Sequence, residues 1–254
     1  MHQIRTEVQG KVLQVIIDAP PVNAISMPRY HKLTEIFQSM ADRNDVHCVL
    51  LSATGRKAFS AGLDLKEFAS WPKDRDHERS EAARGLFEAI RKCAVPVVCA
   101  INGPALGTGA VIAACCDIRI ASSRASIGMP EINVGRCGGG SHIGRLVSQG
   151  MLRMMYFTGE PITAHEALQA GLVQQVVADR LLMQTAMEVA QLISMKSPLG
   201  LRMAKRALDE SEYLQVEAGY ALEQQYSERL SKTDDGREAI AAAAEKRQPI
   251  FRGS

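Results

Sequence analysis

Residues 128–142 read GMPEINVGRCGGGSH. A proline hands the chain to Glu131, Ile132 and Val134 follow, and Gly135 and the run Gly138-Gly139-Gly140 close the stretch. A carboxylate between a rigid residue and a glycine-rich bend can act as general acid or base when its surroundings move its pKa toward neutrality. The same carboxylate can be a first-turn charge that favours a helix N-terminus and does no chemistry. Taken alone, Glu131 fits both descriptions.

Three other stretches carry a chemical pattern. In INGPALGTGAV (101–111), Gly103, Gly107 and Gly109 have the spacing of short-chain dehydrogenases, whose glycines admit a pyrophosphate to a helix N-terminus. The motif begins about a hundred residues into the chain, and none of Tyr30, Tyr156, Tyr213, Tyr220 and Tyr226 is followed four residues later by lysine. NAD(P) binding is therefore the weaker alternative. Ala58-Phe59-Ser60-Ala61-Gly62 resembles a nucleophile elbow with alanine for its first glycine, but no acid and histidine follow in a recognisable order. Ser60 reads as a turn serine. His165-Glu166-Ala167-Leu168-Gln169 lacks the final zinc ligand of H-E-x-x-H, and a capping box with Thr163 explains Glu166. No metal is expected.

These residues need a scaffold, and the chain of 254 residues is long enough for one large domain with a small appendage. Hydrophobic residues make up 46% and charged residues 23%, enough to bury a real core. Thirty basic against 28 acidic residues give a net charge of +2, which argues against nucleic acid or a membrane surface as partner. The six cysteines form no C-x-x-C pair and mostly sit in apolar runs, as expected of buried reduced thiols in a cytoplasmic protein. No apolar run approaches the roughly 18 residues of a membrane span, and the start has no signal-peptide core.

Strand-like runs occur at Val12–Ile17, Cys48–Ser52, Val95–Ile101 and Ile118–Ala121. The first pairs with Ile4–Val8 across Gln9-Gly10-Lys11 as a hairpin. Leu33, Ile36, Phe37 and Met40 recur at helical spacing between the first two runs. Strands alternating with helices predict an α/β fold. From about residue 150 the pattern is mostly helical, with Gly171 at a C-cap and Ser197-Pro198 opening a helix. Gly219–Ala244 carries no strand signal, and the charged stretch Trp71–Arg84 reads as a solvated loop leading into a helix.

The segments KAFSAGLDLKEF (57–68), VPVVCAINGPALGTGAVIAACCDIRIAS (95–122) and GMPEINVGRCGG (128–139) together resemble the crotonase superfamily, the enoyl-CoA hydratases and isomerases. PPVNAIS (20–26), FTGEPITAHEALQAGLV (157–173), SPLGLRMAKRAL (197–208) and AEKRQPIFRGS (244–254) extend the resemblance over most of the chain. The resemblance implies a spiral of ββα units over residues 1–195 and a helical C-terminal region, 196–254, that packs trimers, often as dimers of trimers. It implies an acyl-CoA thioester as substrate and no cofactor beyond that coenzyme A. The backbone N–H groups of Leu63 and Thr108 would form an oxyanion hole, and Glu131 would carry the proton. Ala61, Leu63, Asp64, Leu65 and Lys66 would line the coenzyme, with Lys57 and Lys246 offering cations to its phosphates.

The chain departs from the two-glutamate pattern of the hydratases. The first carboxylate position, three residues beyond the oxyanion-hole N–H, is Val111. The aspartate position of the dienoyl-CoA isomerases is Gly139, whose N–H can hold a water or a substrate oxygen. One carboxylate suffices to move a proton between two carbons, as base and then as acid. Hydration would draw on a second group, for which His142, Asn133, Arg136 and Cys137 are the neighbours. Each reads as structural, Cys137 as a small packed thiol and His142 as a helix-start residue. Hydration of a 2-enoyl-CoA and double-bond isomerisation both stay open. The other function classes are a catalytically retired acyl-CoA-binding or RNA-binding relative and the dehydrogenase.

Overall fold

The computed structural model describes residues 3–254. Strands β1 (Gln3–Gln9) and β2 (Val12–Asp18) form the expected antiparallel hairpin, turning at Gly10 with φ +60°. Beyond it, β3 (Cys48–Ala53), β4 (Val97–Ile101), β6 (Ile118–Ser122) and β9 (Gln175–Val177) add in parallel, giving the order β1-β2-β3-β4-β6-β9. The strand expected over Val95–Ile101 starts at Val97, because the N–H of Val97 goes to the Asp117 carboxylate at 2.7 Å.

Alternate strand residues feed two cores, as a period of two requires. Leu13, Val15, Val49, Leu51, Val97 and Cys99 face α1 (Met27–Ser39), α3 (Asp76–Arg91) and α4 (Thr108–Cys115). Val12, Cys48, Leu50, Val98 and Ile120 instead meet Leu182, Ala186 and Ala190 of α8 (Leu182–Ser194). Full burial of side chains such as Phe37 and Leu51 stabilises the fold by about 1.5–3 kcal/mol each. In α4 every residue from Gly109 to Cys115 is buried. Its C-terminal carbonyls are capped by the buried Arg119, which donates to Cys116 O and Ala113 O.

A second sheet of short strands escaped the sequence pattern: β5 (Ala105–Leu106), β7 (Ser126–Gly128) and β8 (Ile162–Thr163), in the order β5-β7-β8. Runs of two or three residues show no alternation to read. Two further departures are local. Helix α3 begins at Asp76, inside the stretch expected as a solvated loop, after the short helix α2 (Leu65–Ser70). Of the cysteines, five are buried and free, but Cys137 is exposed, against the packed thiol expected there, because residues 132–138 all lie on the surface.

The rest is helical: α5 (Gly140–Ile143), α6 (Gln149–Thr158), α7 (Ala164–Gln169), α9 (Pro198–Ser211), α10 (Val216–Ser231) and α11 (Asp234–Ala244). The Thr163–Glu166 capping box and the Ser197 N-cap are present as expected; each such cap is worth ~1 kcal/mol. Among the described residues no helix is long and apolar enough to cross a membrane.

Candidate active site

Three chain segments run side by side and end at one corner. Ser60 bridges Ala105 in parallel, and Leu106 N–H donates to Ser60 O at 2.9 Å. On the other flank, β5 pairs β7 in parallel, with Leu106 opposite Gly128 and Gly107 N–H donating to Gly128 O at 2.9 Å. Each segment therefore delivers its next residues to the same end: Leu63 from the first, Thr108 from the second, Glu131 from the third.

The corner is tight. A Cβ built on Gly62 would stand 2.6 Å from Leu106 O and 3.2 Å from Thr108 N, so the chain leading into Leu63 lies directly against the start of α4. Thr108 is the first residue of that helix, so its N–H has no intrahelical acceptor. The N–H of Leu63 has no acceptor among the described residues, since its bridge to Ile25 uses Gly62 O and Asp64 N–H. Two unpaired donors and a helix N-terminus share one place, and both favour negative charge.

Glu131 faces them. It sits in a one-turn helix, Pro130–Val134, closed by Arg136 N–H donating to Glu131 O at 2.9 Å. Its Oε1 would be 3.0 Å from a Cβ on Gly107, the residue just before Thr108. Its Oε2 is buried and has no hydrogen-bond partner among the described residues. Burial raises the carboxyl pKa above its ordinary 4.5, with its own backbone N–H pulling part of the way back. A carboxylate left without a partner is costly.

Val111, one turn into α4, is buried and packs its Cγ2 methyl onto Gly139. Gly139 has φ +77°, and its N–H has no acceptor among the described residues. Tyr156 pins this bend: its hydroxyl accepts from Gly138 N–H and donates to Gly138 O at 3.2 Å. The sequence pattern did not single out Tyr156, nor two other residues that shape the corner. Buried Asn23 ties Ala19 N–H, Thr54 O and Ala58 O, and Ser60 Oγ donates to Asn23 O at 2.8 Å. Ser60, expected as a turn serine, is instead buried in the bridge to Ala105, with its hydroxyl used by Asn23 O. Tyr30, also buried, bonds Thr108 Oγ1 at 2.9 Å. Burial raises the Tyr30 pKa, while the Thr108 bond and the nearby Arg79 charge act in the opposite direction.

The remaining sequence candidates fall outside the corner. Asp64 caps α2, accepting from Lys66 N–H at 3.1 Å and Glu67 N–H at 3.2 Å. Lys57, Leu65 and Lys66 are exposed, while Ala61 is half-buried, its N–H donating to Val22 O. Lys246 is exposed in a left-handed turn after α11, and no hydrogen bond or ion pair among the described residues ties it to Glu131. Nδ1 of His142 lies 3.3 Å from Sγ of Cys115, at the end of α4 opposite Thr108 and about 10 Å along it. Burial, and then the charges of Arg91 and Arg145, lower its pKa. Asn133 packs against Gly159, and Arg136 pairs with Asp76 at 3.0 Å.

The glycines of the dehydrogenase-like motif also have other work. A Cβ on Gly109 would be 2.4 Å from Ser60 O, so the first turn of α4 is closed against protein where a pyrophosphate would need to lie. No three His, Cys, Asp or Glu side chains among the described residues converge as a metal site. A cavity of about 820 Å³ lined by α3 and α9, including Phe87, His142 and Lys205, contains none of Leu63, Thr108 and Glu131. Unpaired donors and an unpaired carboxylate mark the chemistry better than volume does.

The sequence profile of the enoyl-CoA hydratase/isomerase family matches residues 7–254. The chain is 32% identical to the short-chain-enoyl-CoA hydratase of Clostridium acetobutylicum, covering 98% of this chain and 97% of that one. It is 36% identical to the (7aS)-7a-methyl-1,5-dioxo-2,3,5,6,7,7a-hexahydro-1H-indene-carboxyl-CoA hydrolase of Rhodococcus jostii, over 87% of this chain and 85% of that one. The fold superposes on a crystal structure of enoyl-CoA hydratase from Bacillus anthracis with a TM-score of 0.95, at 31% identity and 99% coverage of both chains.

Proposed function

Since the chain belongs to the enoyl-CoA hydratase/isomerase family of the crotonase superfamily and acts on acyl-CoA, we propose that it is a single-carboxylate member in which Glu131 carries the proton. The thioester carbonyl sits between the N–H groups of Leu63 and Thr108. Glu131 Oε2 takes a proton from the carbon next to the thioester, and the electron pair moves onto the carbonyl oxygen as an enolate. Each fixed N–H donor there contributes on the order of 3–4 kcal/mol to the transition state.

From a 3-enoyl-CoA, the protonated Glu131 then returns the same proton to the far end of the dienolate, giving the conjugated 2-enoyl-CoA. Base and acid are one group, so no second carboxylate is required. In hydration, water adds across the 2-enoyl double bond and Glu131 serves both the water and the α-carbon, with Gly139 N–H holding the water. Ala61, Leu63, Asp64, Leu65 and Lys66 line the coenzyme, Lys57 meets its phosphates, and Lys246 reaches a neighbouring subunit's coenzyme. The subunits form a trimer or dimer of trimers. Exposed apolar residues on the C-terminal helices, among them Leu208, Val216 (81% exposed), Tyr220 and Ile240, support that assembly.

The observation that carries the proposal is the buried, unpartnered Glu131 Oε2 beside two unpaired backbone donors. It also weighs against a retired binding protein, in which nothing would retain an uncompensated buried carboxylate. The test is a panel of linear, branched and cyclic 2- and 3-enoyl-CoAs, with hydrated and isomerised products separated. Turnover of at least one class is expected. No turnover and no α-proton exchange with any of them would favour the retired binder.

A further inference from the structure

Next to the corner lies a cluster of charge that the proton transfer does not use. Two guanidiniums flank one aromatic ring: Arg79 lies 4.3 Å from the centroid of Phe68, and Arg136 lies 4.8 Å from it. Both pair with a single carboxylate, Asp76, Arg79 through Nη2 and Arg136 through Nη1. Arg79 is only 12% exposed, and its Nε is buried with no acceptor among the described residues. Glu67, the other carboxylate close by, accepts from Met27 N–H at 2.9 Å and forms no ion pair with either arginine.

The elements that carry these residues place the cluster. Phe68 stands on α2, which follows Leu63; Arg79 stands in the first turns of α3; Arg136 follows Glu131 by five residues. The cluster joins the wall after the oxyanion corner to the wall after the proton carrier. Arg79 is near enough to the Tyr30 hydroxyl for its charge to act there, and Tyr30 bonds Thr108.

Arg79 and Arg136 share one ion-pair partner, Asp76, and a buried guanidinium with a free N–H is a strong acceptor-seeking group. Resting on the proposed acyl-CoA chemistry, we propose that Arg79, helped by Arg136, binds an anionic oxygen group on the substrate's acyl portion. The substrate class is then an enoyl-CoA carrying a carboxylate remote from the thioester. Phe68 orients the two guanidiniums by stacking, and Asp76 bridges them through its two oxygens.

The test compares binding of two saturated acyl-CoAs of equal chain length, adipyl-CoA and hexanoyl-CoA, by calorimetry on the full chain. Binding of saturated thioesters does not depend on catalysis, so a catalytically inactive protein still reports. Adipyl-CoA is expected to bind about 10- to 100-fold tighter, as a charge-assisted hydrogen bond implies. In Arg79→Met that ratio should fall toward one, and in Arg79→Lys it should be partly kept. Asp76→Asn, which removes the competing carboxylate, should preserve or raise it. If Arg79→Met fails to fold, Arg79→Lys and Asp76→Asn carry the test. A wild-type ratio near one, or a ratio untouched by Arg79→Met, overturns the inference. Turnover of 2-hexenoyl-CoA with no preference for the carboxylated substrate would leave Glu131 in place and remove only this assignment.

Discussion

The Cγ2 methyl of Val111 lies 2.4 Å from where a side chain on Gly139 would begin. The two positions where relatives by pattern would carry a second acid are thus filled by one methyl group against one glycine. The proposed mechanism therefore rests on Glu131 as its one carboxylate. Gly139→Ala forces Val111 or the 138–140 bend to move and strains a φ of +77°. We expect a loss of about 1–3 kcal/mol in stability by urea denaturation, partly recovered in the Val111→Ala/Gly139→Ala double variant.

The raised pKa of Glu131 has a stability consequence with a definite sign. The folded state holds this proton more tightly than the unfolded chain, so its stabilising contribution is full below 4.5 and is lost as pH rises through the higher folded value. At neutral pH the buried carboxylate is a net cost. Glu131→Gln should therefore raise the melting temperature at pH 7, and the difference from wild type should shrink as pH falls toward 4.5. Thermal melts of both proteins across that range measure it. A lower melting temperature for the variant at pH 7 would count against the burial argument.

In the proposed mechanism Tyr30 acts through its bond to Thr108 rather than on substrate. Removing the hydroxyl in Tyr30→Phe frees Thr108 Oγ1 and loosens the residue whose N–H is proposed to meet the oxyanion. A neutral hydrogen bond of about 0.5–1.5 kcal/mol corresponds to a fall in kcat of roughly 2- to 12-fold, with KM little changed. Thr108→Val should cost the same, and the double variant should cost no more than either alone. Additive losses would show that the pair does not act as a unit.

These roles were unevenly legible in the sequence. The hairpin, the central parallel strands and α1 follow from alternation and from Leu33, Ile36 and Phe37 at helical spacing. The candidate corner was legible because Glu131 and the Leu63 and Thr108 backbones sit in recognisable motifs. Their convergence was implied by the family resemblance but not by periodicity, because it depends on Ala105–Leu106 and Ser126–Gly128, strands too short to show a period. Tyr30 entered the sequence reading only as a tyrosine with no lysine four residues on, and its hydroxyl stands out once Thr108 is seen opposite it. Cys137 misled for a related reason: burial was inferred from residue type, while residues 132–138 all lie on the surface.

Lys205 fastens the C-terminal helices to the sheet. Its ammonium is buried, bonded to Asp117 at 2.7 Å and to Val95 O at 3.4 Å. Burial pulls its pKa down, and Asp117 more than offsets that, leaving it raised. Lys205→Ala strips Asp117 of this partner and opens a gap under α9. Because Asp117 is partly solvated, we expect a loss on the order of 2 kcal/mol, read as a lower urea midpoint. A change within error would mean that α9 is held by its apolar contacts alone.

The measurement closest to the central claim is α-proton exchange. A saturated acyl-CoA that the enzyme binds is held in heavy water, and loss of the α-proton is followed by NMR with wild-type protein and with Glu131→Gln. If Glu131 is the proton carrier, wild-type protein exchanges the proton and the variant does so about 10²–10⁴-fold more slowly while binding the thioester equally well. Exchange by Glu131→Gln at a near wild-type rate would contradict the account.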